Sequence, residues 1–418
     1  MTTLSADWVL PLDGPPLRDA RVTWEGDTIV EVGPGRADRH FDDAVLLPGF
    51  VNAHSHLEYS VYAGFGDGLP FSDWLGTHIT RKRKLDYDDM LAIARRGAAD
   101  SLGSGITTTA DYSFSGASAA AAAELGLRAT IYLEVFASDP AVAESQFEAN
   151  RARVTETDLV RIGISPHAPY TCSVEVYAWC LSLGIPVGTH LAENASENEW
   201  LEHGTGPMAA NSQFFVAPTG KRGVATLEDV LCPELLCAHC VEVDAAEIAL
   251  LREHDVPVAH CPRSNALLGS GAAPLAELLA AGLRVGLGTD SPASTPSFDI
   301  FEELRTAVYV ARARERRPDA LTADAALRLA TVDAARALGL ESTIGTLTPG
   351  KQADLTVVSL AASPYHPVED PAAAVVFGGS PDRVLETIVA GQTRYRQGET
   401  AWHEVHSTAS DARRRMLA

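Results

Sequence analysis

The 418-residue chain contains no run of about 18 apolar residues free of charge, which excludes a membrane-spanning helix. Its N-terminus, "MTTLSADWVLPLDG", lacks a basic segment followed by an apolar one, so no secretory leader is expected and a cytoplasmic location is. Positive charge is scarce. Against 55 Asp and Glu stand 33 Lys and Arg, a net charge of −22, and wrapping a polyanion such as nucleic acid needs clustered cations that this composition does not supply. The expected partners are a small-molecule substrate and water, with neither nucleic acid nor membrane, and a homodimer is compatible with this. Cysteine is limited to six residues, and the single Cys-x-x-Cys, Cys237 and Cys240, has no second pair. The cysteines therefore read as buried thiols in a reducing compartment, not as a disulfide framework or zinc knuckle.

What is present is an alternation. Eight short apolar, β-branched runs, "GFVNAHSH", "GITTTADY", "RATIYLEVF", "VRIGISPH", "IPVGTH", "LLCAHC", "VPVAHC" and "LRVGLGTD", are separated by Ala- and Leu-rich helical stretches. That pattern predicts an α/β fold, a (β/α)₈ TIM-like barrel over residues 49–345. The Ala-rich stretch Ser118–Ala123 is expected to be one of its helices. The two chain ends, residues 1–48 and 346–418, carry short β-like pieces between Gly, Pro and Asp turns and are expected to form one small β-domain together.

Several runs finish on a residue that binds metal or moves protons: His54 and His56, His167, His190, His239, His260 and Asp290. His54 and His56 lie two apart, so on an extended strand they share a face while Ser55 points away. Singly, each has an ordinary alternative, a satisfied core histidine or, for Asp290, a turn cap. Parallel barrel strands all end at one rim, however, and so much imidazole and carboxylate in one mouth is costly unless a cation or hydrogen-bond network satisfies it. Imidazole with one carboxylate suits Zn²⁺ first and accepts Fe²⁺, and an open position leaves room for a water whose pKa falls from about 15.7 towards 7.

With these residues in place the chain resembles the amidohydrolase superfamily, specifically its mononuclear deaminase and chlorohydrolase branch. The resemblance spans nearly the whole chain and rests on "GFVNAHSHLE" (49–58), "HLAE" (190–193), "AHC" (238–240), "HCPRSN" (260–265) and "GTDSP" (288–292). It implies that His54, His56, His190 and Asp290 hold one divalent metal and that the β-domain is a small sandwich. Asp290 would also take the proton of the attacking water, Glu193 would pass a proton to a substrate ring nitrogen, and His239 would orient and polarise the hydroxide. The bridging Lys of two-metal relatives is absent, since no Lys occurs between Lys84 and Lys221.

Glu193 favours hydrolytic deamination of an aromatic amidine such as a purine ring, because relatives that displace chloride or an alkylamine often lack it; its other reading is a solvated helix N-terminus. A triazine, N-aryl amide or chloro-hydrolase on the same site is the alternative. A non-catalytic scaffold would have lost ligands, and here every expected position is filled. Glu58, His167 and Tyr170 are candidates to contact substrate or to support those that do. "RKRK" (81–84) is either a solvated helix face or a place where Arg81 or a neighbour meets an anionic substrate group. On this last point the chain resembles the 6-aminodeoxyfutalosine deaminases of menaquinone biosynthesis, whose substrate carries a benzoate.

Overall fold

Turn-bounded apolar runs become strands along the whole chain, and the computed structural model describes all 418 residues. The N-terminal pieces form β1 (Thr2–Val9), β2 (Leu17–Glu25), β3 (Thr28–Pro34) and β4 (His40–Pro48). The eight middle runs form β5 (Phe50–Ser55), β6 (Ile106–Ser113), β7 (Arg128–Val135), β8 (Val160–Pro166), β9 (Val187–Leu191), β10 (Leu235–His239), β11 (Val258–His260) and β12 (Val285–Leu287). Near the C-terminus lie β13 (Leu355–Ser359), β14 (Val384–Val389) and β15 (Gln392–Arg396).

Strands β5 to β12 pair in parallel in chain order, with helices between them, as the alternation predicts for a (β/α)₈ barrel. The ends of the chain share one seven-stranded mixed sheet, ordered β15-β14-β13-β4-β1-β2-β3. Strand β4 pairs parallel with β1 and antiparallel with β13, so the two ends meet at its edges. This sheet buries its own apolar core, including Leu4, Val22, Trp24, Leu46 and Leu355. Buried Arg128, at the start of β7, donates Nε and Nη2 to the two carboxylate oxygens of Asp354 (3.1 and 3.0 Å), pinning the barrel to the sheet. The stretch around Ser118 forms helix α3 (Ala117–Leu125), which follows α1 (Phe71–Lys82) and α2 (Tyr87–Gly103). No helix is long and apolar enough to cross a membrane.

Two helices from the C-terminal segment pack on the barrel helices. Pro371–Gly378 lies against the helices Ile300–Glu315 and Ala323–Leu329. The last helix, His403–Leu417, lies on α2, and its Ala409, Ala412 and Met416 join Tyr59, Tyr62 and Phe65 in one apolar cluster. Arg413 donates to the carbonyls of Val61 and Ala63, holding the loop after β5 in place.

The barrel closes where β12 reaches β5. The Asp290 N–H donates to the His54 carbonyl (3.0 Å), and Ser55 and Asp290 form a parallel bridge. Glycine makes the approach feasible: a Cβ on Gly288 would sit 2.7 Å from His54 Cβ and 2.9 Å from His54 N. Overpacking of this kind costs about 1–3 kcal/mol. Gly288→Ala is therefore expected to lower the urea midpoint with an unchanged m-value and to weaken metal binding as well. A midpoint and metal affinity equal to those of the parent would contradict the closure argument.

Candidate active site

The strand ends converge as the barrel geometry requires. His54 is fully buried, and neither of its ring nitrogens has a hydrogen-bond partner. His56 donates from Nδ1 to the Tyr112 carbonyl (2.9 Å), and His190 from Nδ1 to the His167 carbonyl (2.8 Å). Each proton on Nδ1 leaves a lone pair on Nε2, and those two Nε2 atoms face each other at 3.3 Å. Asp290 Oδ2 accepts from Ser264 Oγ (2.6 Å) and Ser294 Oγ (2.8 Å), which leaves Oδ1 3.6 Å from Nε2 of both His54 and His56.

Electron pairs gathered in a buried space repel one another unless a cation lies among them. Burial pushes all three imidazoles down, His54 well below the usual value, His56 to about 4 and His190 to about 3, so they stay neutral and available as ligands. Burial pushes Asp290 up, but His239, His56 and the two serine hydroxyls outweigh it and keep the carboxylate ionised. One ligand atom each from His54, His56 and His190 gathers in one group and Asp290 gathers with His54 and His239 in an overlapping one, a donor set of imidazoles and a carboxylate that fits a divalent ion of the zinc or iron type, and outer hydrogen bonds fix the tautomers of His56 and His190.

Beyond this cluster opens a cavity of about 460 Å³, lined by His56, His167, Tyr170, His190, Glu193, His239 and Asp290 among others. Glu193 is buried, which raises its carboxyl to about 7 against the opposing pull of His239. The His239 ring donates from Nδ1 to Asn265 Oδ1 (3.1 Å), leaving Nε2 3.9 Å from Glu193. His239 and Asp290 have φ of +76° and +55°, a left-handed backbone that costs of order 1–3 kcal/mol at non-glycine positions and is found at sites where side chains must be aimed. His167 bonds through Nδ1 to Thr171 Oγ1 (3.0 Å) and stands 4.8 Å, ring to ring, from His190.

Two of the expected substrate contacts are placed elsewhere. Glu58 does not line the cavity. A single 3₁₀ turn, Leu57–Tyr59, carries its buried carboxylate to the N-terminus of α3, where it accepts from Ser113 Oγ (2.5 Å), Phe114 N (2.9 Å), Ser115 Oγ (2.8 Å) and Ala117 N (3.0 Å). A carboxylate so satisfied at a helix N-terminus is a structural cap. Arg81 also lies outside, its guanidinium stacked 4.6 Å from the Phe65 ring. The helix α1 presents Phe71, Trp74, Leu75, His78, Ile79 and Lys82 to the cavity, a stripe at helical spacing, and a rotation of about 100° per residue moves Arg81 off that face. Outside the cavity as well is His260, buried with Nδ1 unpartnered.

Lys82, Arg83 and Glu134 line the cavity instead. Lys82 is buried with Nζ 3.9 Å from the Phe114 ring centroid. Burial draws its pKa down, opposed by Glu134 and Glu58, while burial raises Glu134 to about 7, opposed by Lys82. The signals were present in the sequence: Lys82 in the periodicity of "FSDWLGTHITRK", and Glu134 near the end of a barrel strand like the histidines. All six cysteines are free, and burial raises the thiols of both Cys237 and Cys240, in keeping with packed structural thiols.

The amidohydrolase family profile matches residues 45–394. The chain belongs to the amidohydrolase family. Among the relatives of this amidohydrolase, a 5-methylthioadenosine/S-adenosylhomocysteine deaminase of Moorella thermoacetica is 34% identical over 406 residues, covering 94% of this chain and 89% of the relative. A 5'-deoxyadenosine deaminase of Methanothermobacter thermautotrophicus is 32% identical, covering 93% of each chain. The crystal structure of an adenosine deaminase from Xanthomonas campestris with bound zinc superposes with a TM-score of 0.85 at 28% identity, covering 99% of this chain and 97% of that one.

For this amidohydrolase, elemental analysis of protein purified without added chelator is expected to give one divalent ion per chain. His54→Asn should retain the fold by circular dichroism and lose most of that ion. Full metal content in the variant would remove His54 from the ligand set.

Proposed function

We propose that the protein is a metal-dependent hydrolase of carbon–nitrogen bonds, a deaminase that removes the amino group from the adenine ring of a nucleoside. The observation that carries this reading is the placing of two buried carboxyl groups in one cavity with unlike surroundings: Asp290, beside His54 and held ionised by His239 and His56, and Glu193, which burial raises to about 7 so that a proton is shared between it and water near neutrality. The names of the three relatives given above, deaminases of adenine nucleosides, agree with it.

His54, His56, His190 and Asp290 would hold a divalent metal, zinc first, and when bound it supplies the Lewis acidity that makes water nucleophilic at neutral pH. Asp290 Oδ1 takes one proton as the water oxygen adds to the amino-bearing ring carbon. Glu193 gives its proton to the adjacent ring nitrogen, which makes that carbon electrophilic. His239, fixed by Asn265, orients the attacking oxygen through Nε2. The carbon–nitrogen bond then breaks: the proton held on Asp290 passes to the amino group, which leaves as ammonia, and the proton of the new hydroxyl passes to Glu193 as the ring carbonyl forms, restoring both carboxyl groups. His167, Tyr170 and the aromatic stripe of α1 enclose the ring and exclude water.

The far wall narrows the substrate. Lys82 and Arg83 offer cations on the cavity wall, and Glu134 offers an acceptor for hydroxyls. An anionic group on that remainder suits this wall, and 6-aminodeoxyfutalosine, on the route to menaquinone, has both the adenine and the carboxylate.

An ammonia-release assay on metal-replete protein tests the reading, with adenosine, 5'-methylthioadenosine, S-adenosylhomocysteine, 5'-deoxyadenosine, 6-aminodeoxyfutalosine, guanine, cytosine and a chlorotriazine. Ammonia is expected from adenine nucleosides. Glu193→Gln should lower kcat by about 10²–10⁴-fold with metal content unchanged. Lys82→Met should raise KM about tenfold, or ~1.4 kcal/mol, for the carboxylate-bearing substrate alone. Chloride release from the triazine without ammonia from any nucleoside, or loss of metal in Glu193→Gln, would overturn the assignment.

A further inference from the structure

At the opposite end of the barrel lies a second cavity of about 610 Å³, separate from the catalytic one. It opens among the beginnings of β8 to β12, and the turn after the helix Val332–Ala337 borders it through Leu338 and Gly339. Its wall mixes the apolar Leu181, Ile185, Pro186, Leu236 and Pro257 with a few polar side chains, and a volume of about 610 Å³ suits a small organic molecule.

The polar groups in that wall are unevenly satisfied. Arg161 donates from Nε to Thr130 Oγ1 (2.7 Å) and from Nη2 to the Leu338 carbonyl (3.1 Å), which fixes the guanidinium plane. Nη1 has no protein partner, and no carboxylate stands within ion-pair distance of Arg161. Arg284, by contrast, is already neutralised by Asp255 (Nη2 to Oδ2, 3.3 Å). Tyr132 is 3% exposed, and its phenol makes no hydrogen bond to the protein. A fixed, unpaired guanidinium beside a free hydroxyl and an apolar wall is the arrangement that recognises a carboxylate on an apolar body. Glu234, exposed at the rim, repels a dianion and so disfavours phosphate.

We propose that this floor cavity is a binding site for a small monocarboxylate with an apolar body, anchored by Arg161 and Tyr132. The site is independent of the deaminase reading, but it is joined physically to the metal cluster: the Tyr132 ring stacks on Tyr112 (4.9 Å), and Tyr112 packs edge-on against His54 (4.4 Å).

Crystals of the full chain soaked in 4-bromophenylacetate test this directly. A bromine anomalous peak between Arg161 and Ile185 is expected, and a peak confined to the catalytic cavity, or no peak, would overturn the proposal. In solution, calorimetry with phenylacetate should give binding that Arg161→Gln weakens at least about tenfold, or ~1.4 kcal/mol. Lys82→Met should leave it unchanged, and phenylacetamide and inorganic phosphate should bind far more weakly. Ile185→Trp, which fills the cavity without touching the hydrogen bonds of Arg161, should abolish binding. Equal affinity in either floor variant, or for the neutral amide, would contradict the site.

Discussion

The contact on which the rest depends is the closure of the barrel between β5 and β12. The backbone hydrogen bond from Asp290 to His54 completes the eight-stranded ring, and the side chains of the same two residues face each other across the metal cluster. Fold and chemistry therefore share one joint. Strands only three residues long, β11 and β12, have few ladder bonds with which to hold the ring closed. A cation gripped by residues from β5, β9 and the end of β12 would supply cross-links where the ladder is thinnest. The unpartnered Nε2 of His54 and the Nε2 atoms of His56 and His190, which lie 3.3 Å apart, are buried electron-pair donors that such a cation would satisfy.

The catalytic cavity is assembled from parts with different physical origins. Its floor comes from strand ends, fixed by the barrel. Its wall comes from α1, whose helical stripe delivers aromatics and Lys82. The loop that carries Tyr59 is held from behind by the last helix of the chain, through Arg413 and a shared apolar cluster. That helix lies more than 300 residues downstream of the loop it braces. Loops that only the scaffold supports are mobile by default, so an extra brace of this kind preorganises the wall against which substrate packs.

Much of this was legible in the sequence because it follows from periodicity. All eight barrel runs became strands, since β-branched runs of that length between helical stretches have few other uses. The convergence of His54, His56, His190, His239 and Asp290 followed from parallel strands ending at one rim. What escaped was set by local rotation and by turns. "RKRK" announced positive charge, but only the phase of α1 decides that Lys82 enters the cavity while Arg81 stacks on Phe65. Glu58 sits two residues after His56, yet one 3₁₀ turn sends it to cap α3. Glu134 stands one residue before the end of β7 and lines the cavity, but no motif in the sequence marks it as the histidine pairs are marked. The docking of the last helix on α2 is a tertiary choice that no short stretch of sequence encodes.

The reinforcement of the β5–β12 closure that a divalent ion on His54, His56, His190 and Asp290 would supply is tested most directly by hydrogen exchange read by mass spectrometry on metal-loaded and chelated protein. Peptides covering residues 50–57 and 285–291 are predicted to exchange at least about tenfold faster after chelation, a loss of ~1.4 kcal/mol of protection, while peptides from β1 to β3 stay unchanged. Equal protection of the β5 and β12 peptides with and without metal, or a uniform loss across both sheets, would contradict it.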